Sequence, residues 1–256
     1  MLKRSGVSRA KAQFGSRFKI AMTPKVAPYF CGMRWIPNAL TLGNVASGMA
    51  AIWYLMFQNF EYATVAVMLA FVFDGLDGWA ARKVGVSGEL GVQLDSLADA
   101  ITFGVVPGFM WMQLAMWMNT GYGWPALPVL GWAVTLASVY RLARFNSDMK
   151  DYPGFMGMPT PANTAFVLGL MYAADAELIP LHPAMYLVAL AWSVYSLNAN
   201  FTVASLKDLP TTWFKRGFRV AWLAVSLTAF AFWGLAAMAV AVPLLPVVSA
   251  LEKRFL

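Results

Sequence analysis

The chain has 256 residues, 60% of them hydrophobic and only 12% charged, with a mean hydropathy of +0.60. A soluble domain carries about 25% charged residues, so the composition points to an integral membrane protein. The net charge of +7 reads as bilayer topology rather than nucleic-acid binding, because the basic residues stand at the edges of apolar runs.

The first 34 residues hold Lys3, Arg4, Arg9, Lys11, Arg17, Lys19, Lys25 and Arg34 and no acidic residue. They read as a basic cytoplasmic arm, a topological anchor with a surface for anionic head groups, and lack the short apolar core of a signal peptide. Apolar runs follow at about 38–57, 62–81, 95–118, 125–145, 161–174 and 185–205, each near the ~20 residues that span a bilayer; the fifth is short. Polar connections are expected at 58–61, 82–94, 119–124, 146–160 and 175–183. Lys and Arg occur in or beside the second and fourth of these and after the sixth run, and not in the first, third and fifth. The alternation places the N-terminus and the even-numbered helix ends in the cytoplasm. Beyond Arg219 an apolar stretch interrupted by Gly234, Pro243 and Pro246 runs to Leu251. One further helix or a hairpin of two is possible; the hairpin returns Glu252, Lys253 and Arg254 to the cytoplasm and is favoured. The expected organisation is a basic arm (1–34), a six-helix catalytic membrane domain (35–210) and a C-terminal membrane extension (211–256).

Four of the twelve acidic residues, Asp74, Asp77, Asp95 and Asp99, fall at the facing ends of the second and third runs. Spacings of three and of four put each pair on one helix face. A carboxylate inside a membrane helix costs a few kcal/mol and marks a functional site. Arg82 and Lys83 are the only basic residues nearby and could pair at most two of the four, so a structural salt-bridge network does not account for them. Divalent metal does. With one cysteine, Cys31, and one histidine, His182, neither a four-cysteine zinc site nor a histidine-based centre is supported; oxygen ligands favour Mg²⁺ or Mn²⁺, with Ca²⁺ possible. Gly78 and Ala81 leave one helix face bare for a bulky ligand, and Gly91 opens a close approach to the third helix.

The pattern Asp74-x-x-Asp77-Gly78-x-x-Ala81-Arg82, eight residues, Gly91-x-x-x-Asp95-x-x-x-Asp99 resembles the CDP-alcohol phosphotransferase signature at every fixed position. The resemblance implies a helical membrane bundle that binds two divalent ions and the diphosphate of a CDP-linked donor. It implies Asp74, Asp77, Asp95 and Asp99 as metal ligands, Asp95 and Asp99 as catalytic with Asp99 as general base, and Gly78, Ala81 and Arg82 facing the CDP moiety. A site at the membrane edge suits a donor such as CDP-diacylglycerol, whose head is water-soluble and whose tail is lipid.

Three further stretches, Pro37 to Gly48 with Asn38, Thr41 and Asn44, Tyr140 to Asn146, and Gly157-Met158-Pro159-Thr160-Pro161, are similar to the phosphatidylserine synthase branch of that family. This implies Asn38 and Thr41 on the donor, L-serine as acceptor, CMP and phosphatidylserine as products, and a homodimer in the inner membrane. Arg141 and Arg144 lie three apart near the end of the fourth run; a guanidinium fork suits serine's carboxylate, so both, with Asn146, are expected to contact the acceptor or the donor phosphates. The same chemistry with choline, glycerol 3-phosphate or an inositol phosphate is the alternative, although choline calls for an aromatic cage. A divalent-cation transporter is a distant one, since all four aspartates lie near one membrane face and a path needs polar groups throughout. Gly157 to Pro161 also reads as a rigid turn, and His182 as structural.

Overall fold

The computed structural model describes residues 35–84, 89–118, 127–148, 155–203 and 213–254; the basic arm with Cys31 and the expected connection 119–124 lie outside them. Its helices are α1 (Ile36–Met56), α2 (Phe60–Val84), α3 (Glu89–Ala100), α4 (Val106–Trp117), α5 (Trp132–Asp148), α6 (Thr160–Asp175), α7 (Pro183–Asn198), α8 (Trp213–Trp233) and α9 (Met238–Arg254). A π-helical turn, Ile101–Val105, joins α3 to α4 into one continuous third span. Among the described residues the helices form an all-α, multi-pass membrane bundle that ends in a pair, α8 and α9. The stretches Ile36–Met56, Phe60–Val84, Glu89–Trp117 and Val220–Ala250 are each long and apolar enough to cross a bilayer. Large apolar side chains such as Leu136, Val188 and Phe232 point outward, as lipid-facing surfaces require.

Two connections are tighter than the polarity of the chain implies. Phe60 opens α2 directly after Asn59, the chain having turned at Gln58, which adopts φ 55°. The expected polar segment 82–94 is helical up to Val84 and again from Glu89. Glu89 and Gln93 are good helix formers, and their polarity marks a helix running out of the apolar layer rather than a loop. Asp95 and Asp99 therefore sit well inside a helix.

Small residues set the spacing of the bundle. A Cβ on Gly48 would stand 2.5 Å from the Thr102 hydroxyl, so α1 meets the π turn there at backbone distance. Away from the site the core is Trp111, Met110, Phe166 and Met171, all nearly or fully buried, with Tyr186 edge-on to Trp111 at 5.3 Å. The lone histidine acts locally, as His182 Nδ1 accepts from the Ala184 N–H at 3.2 Å and caps α7.

Before α6 the chain makes a rigid turn. Gly157 has φ +70° and donates to the Phe201 carbonyl (2.8 Å), while the Met158 N–H donates to that of Ser196 (2.7 Å). A two-residue antiparallel ladder, Phe155 opposite Val203 and Met156 opposite Thr202, completes the tie to the end of α7. The C-terminal stretch is the expected hairpin: α8 and α9 break at Gly234, which has φ +54°. They lie antiparallel, with the Trp222 indole N–H donating to the Ala241 carbonyl at 3.0 Å. The hairpin docks on α6 where Gly169 has no side chain; a Cβ there would lie 2.4 Å from the Ala239 nitrogen.

Candidate active site

The C-terminal half of α2, the C-terminal half of α3 and the C-terminal end of α5 meet at one end of the bundle, beside the start of α1. One carboxylate oxygen each from Asp74, Asp95 and Asp99 lies within 4.8 Å of the others. Asp74 and Asp99 are half-buried, Asp95 exposed. Asp77 stands outside this triad but within electrostatic range of Asp95 and Asp99. It is 5% exposed, beside the Thr41 hydroxyl of α1, and that hydroxyl also donates to the Pro37 carbonyl at 3.0 Å. The helical spacing thus brings three of the four aspartates to one point and sets the fourth at its edge.

Two buried carboxylate oxygens, Asp77 Oδ2 and Asp99 Oδ1, have no hydrogen-bond partner, a costly state unless a ligand supplies one. Oxygens bound to a single ion cannot lie further apart than twice the bond length, about 4.2 Å for Mg²⁺ and up to about 5.2 Å for Ca²⁺. The triad's separation is of that size, and its donor set is all carboxylate. The residues therefore fit a hard divalent cation, and the cluster is one that can bind metal.

The space beside the triad is shaped by missing side chains. A Cβ on Gly78 would meet only the far end of Arg82, with Nη1 at 3.4 Å, and one on Gly75 would meet nothing within 4 Å. Ala81, half-buried, and Arg82, exposed, continue this open side of α2. Across it, the Asn38 Oδ1 would lie 3.6 Å from a Cβ on Gly91, which places Asn38 at the α1–α3 contact.

The three residues of α5 have different surroundings. Arg141, 9% exposed, lies within electrostatic range of Asp99, and its Nε has no partner. Arg144 donates to Asn200 Oδ1 at 3.3 Å, beyond the end of α7. Asn146 donates to Ser96 Oγ at 2.8 Å, tying α5 to the residue that follows Asp95.

Sequence reasoning missed the clamp around the π turn. A π turn breaks the regular ladder and leaves backbone groups needing other partners. Thr135 on α5 donates to the Gly104 carbonyl (2.9 Å), and the Thr164 hydroxyl on α6 is shared between the Thr160 carbonyl of its own helix (3.1 Å) and that of Phe103 (3.5 Å). Thr102 donates to the Asn44 carbonyl of α1 (3.3 Å). Three helices thus fix the turn directly below Asp99. The only trace of it in the sequence is Gly104 and Pro107, neither of which specifies a π turn.

The described residues thus form a membrane-type helical bundle that gathers aspartates from two adjoining helices, in a cluster that could hold a divalent ion, beside an open glycine-lined face. Residues 34–196 match the family model for CDP-alcohol phosphatidyltransferase, and the chain belongs to that family. It is 34% identical over 130 residues to the CDP-diacylglycerol–serine O-phosphatidyltransferase of Bacillus subtilis (strain 168), covering 50% of this chain and 71% of that protein. The protein of the same name from Mycobacterium leprae (strain TN) is 34% identical over 143 residues, 53% of this chain and 46% of its own length. That of Methanocaldococcus jannaschii is 29% identical over 144 residues, 56% of this chain and 64% of its own.

Proposed function

We propose that the chain transfers the phosphatidyl group of CDP-diacylglycerol to the hydroxyl of L-serine, giving phosphatidylserine and CMP. The observation that carries this is the convergence of Asp74, Asp95 and Asp99 within 4.8 Å, beside a groove that Gly75 and Gly78 leave open. The names of the relatives supply the acceptor. Residues 35–210 form the catalytic unit and 211–256 a membrane extension. The site faces the cytoplasm at the inner membrane, with the N-terminus on the same side, and two copies associate as a homodimer.

In this reading Asp74, Asp77, Asp95 and Asp99 hold two divalent ions, Mg²⁺ or Mn²⁺, which when bound neutralise the charge on the diphosphate oxygens. Asn38, Thr41, Gly78, Ala81 and Arg82 seat the CDP moiety: the small residues let it approach the backbone of α2, and Arg82 offers a cation at the rim. The serine hydroxyl oxygen attacks the phosphorus of the phosphatidyl group, its bond to phosphorus forms, and the bond from phosphorus to the CMP oxygen breaks in line. Asp99 takes the hydroxyl proton. Its Oδ1 is buried without a partner and so is free to accept it. Arg141 holds the acceptor near Asp99, while Arg144 and Asn146 shape the same end of α5 through Asn200 and Ser96.

The test uses the purified full chain with CDP-diacylglycerol, Mn²⁺ or Mg²⁺, and separate candidate alcohols. CMP release and phosphatidylserine formation with serine are expected. Release with another alcohol and none with serine would refute the acceptor, and release with none from a folded protein would refute the enzyme class.

A further inference from the structure

Asn44, in the first half of α1, is fully buried, and neither its amide nitrogen nor its amide oxygen has a hydrogen-bond partner. A carboxamide inside a membrane bundle is normally matched to a neighbouring helix, and leaving both ends unmet is costly. The two hydroxyls that flank it are spent elsewhere. Thr41, one turn earlier, donates to the Pro37 carbonyl at 3.0 Å and stands beside Asp77. Thr102 of the π turn donates to the Asn44 main-chain carbonyl at 3.3 Å and leaves the side chain untouched. The group that completes this amide is thus a ligand.

Contacts on two sides fix its level in the bundle. Toward α2, Thr41 lies beside Asp77, and a Cβ on Gly43 would meet the Phe73 ring at 3.2 Å. Asn44 and Asp74 are each one residue from that Gly43–Phe73 contact, and so stand within about one helical turn of each other along the bundle. Toward α3, a Cβ on Gly91 would lie 3.6 Å from Asn38 and one on Gly48 would lie 3.1 Å from the Thr102 Cα, so α1 and α3 run the same way with their N-terminal ends at the site. In a helix the carbonyl points toward the C-terminus and the side chain leans toward the N-terminus. The Asn44 amide therefore lies on the site side of its carbonyl's contact with Thr102. One turn from Thr102 in that direction come Ala98, fully buried and too short to fill the space, and Asp99, whose Oδ1 is buried without a partner. The free amide thus stands at the inner end of the cluster in which Asp74 and Asp99 bring carboxylate oxygens within 4.8 Å.

We propose that Asn44 completes the cation site from α1: its carboxamide oxygen faces the divalent ion that Asp74 and Asp99 hold, directly or through one of the ion's waters, and its N–H₂ donates to a carboxylate oxygen of the cluster. This rests on the metal reading above and adds to it a residue from a helix outside the aspartate pattern. A neutral, hard oxygen suits the place, because four carboxylates already balance two divalent ions and a fifth anion would repel them. The N–H₂ end has the complementary task, since a carboxylate that ligates metal is oriented by hydrogen bonds to it. One group with a free acceptor and a free donor meets both needs.

The test titrates Mn²⁺ into the metal-stripped full chain in detergent, as wild type, Asn44→Leu and Asn44→Asp. Bound Mn²⁺ is read by electron paramagnetic resonance and stability by a thermal melt. Leucine keeps the bulk and removes both polar ends. The Mn²⁺ concentration for half-saturation of Asn44→Leu should rise about 10–100-fold, as on loss of other groups that support metal ligands. Its metal-free melting temperature should stay at or above that of wild type, because no protein hydrogen bond is lost. Asn44→Asp keeps an oxygen and adds a charge beside Asp74 and Asp99, so it should melt lower than wild type without metal and gain a larger rise from saturating Mn²⁺. Wild-type half-saturation in Asn44→Leu, with or without a lower metal-free melting temperature, makes Asn44 a packing residue and overturns the inference. Should Asn44→Leu not fold, Asn44→Asp decides: a Mn²⁺-induced rise no larger than that of wild type overturns it. A wild-type chain that binds no Mn²⁺ removes the metal reading as well, whereas one that binds Mn²⁺ while Asn44→Leu binds it equally removes this inference alone.

Discussion

Asp99→Asn separates the cost of the carboxylate cluster from its use. At 4.8 Å, within which the three oxygens of the triad all lie, two ionised carboxylates repel by about 3.5 kcal/mol at an effective dielectric constant of about 20. Asp99 takes part in two of the three pairs, so the substitution removes on the order of 7 kcal/mol of gross repulsion. Asp95 is exposed, and solvent screens much of this, which leaves about 1–3 kcal/mol to be measured. For a chain of this size each kcal/mol moves the melting temperature by about 2–4 °C. In EDTA the Asp99→Asn variant should therefore melt several degrees above wild type, while Mn²⁺ or Mg²⁺, which raises the wild-type melting temperature, should barely move the variant. Transfer should be abolished and donor binding retained. Intrinsic tryptophan fluorescence in detergent, with and without metal, reads both effects. A variant that melts lower than wild type in EDTA and keeps the full metal-induced shift would show that Asp99 is held by protein contacts and is no part of a metal cradle.

Gly78→Leu fills space that is otherwise open up to the tip of Arg82, so it should raise the KM for CDP-diacylglycerol at least about tenfold with little change in melting temperature; a normal donor KM would place the nucleotide elsewhere. Thr135→Val with Thr164→Val strips two donors from the carbonyls of the π turn, at a cost of about 1–3 kcal/mol for each buried group left unsatisfied. The double variant should lose turnover more than either single variant, and independent small effects would deny that the turn positions Asp99. Gly169→Val drives a side chain onto the backbone of Ala239 and should cost about 1–3 kcal/mol in a thermal melt while leaving the metal-induced shift in place.

Much of this fold is written in hydropathy, because a bilayer forces apolar residues into runs of spanning length and leaves little else to choose. The long apolar helices and the break at Gly234 follow from it. Helix ends do not, since polarity reports where a helix leaves the lipid and not where its hydrogen bonds stop; the expected connection 82–94 is helical up to Val84 and again from Glu89. Within the site, the spacing of Asp74, Asp95 and Asp99 made their convergence legible. It could not show that Asp77, three residues from Asp74, turns toward Thr41 and α1, because a spacing of three rotates a side chain by some 60° from its neighbour, roughly a sixth of a turn. Arg141 and Arg144 show the same limit: equal in sequence pattern, one faces Asp99 and the other Asn200.

The π turn explains how such a site holds its geometry inside a mobile solvent. Asp95 and Asp99 ride on a short helical segment, Glu89–Ala100, that has only one buried residue, Ala98, and so little packing of its own to fix it. Immediately below, Thr102, Phe103 and Gly104 are fully buried and tied to α1, α5 and α6 by three threonine hydroxyls. In lipid there is no hydrophobic force between helices to set register, and polar contacts carry more of that burden. The turn therefore anchors one end of the segment while Asn146 and Ser96 fasten its middle to α5. The carboxylates of Asp95 and Asp99 lie at this anchored stretch, and the edge at Glu89 and Leu90 is exposed; under the proposed function it is the side on which a large amphiphilic donor enters.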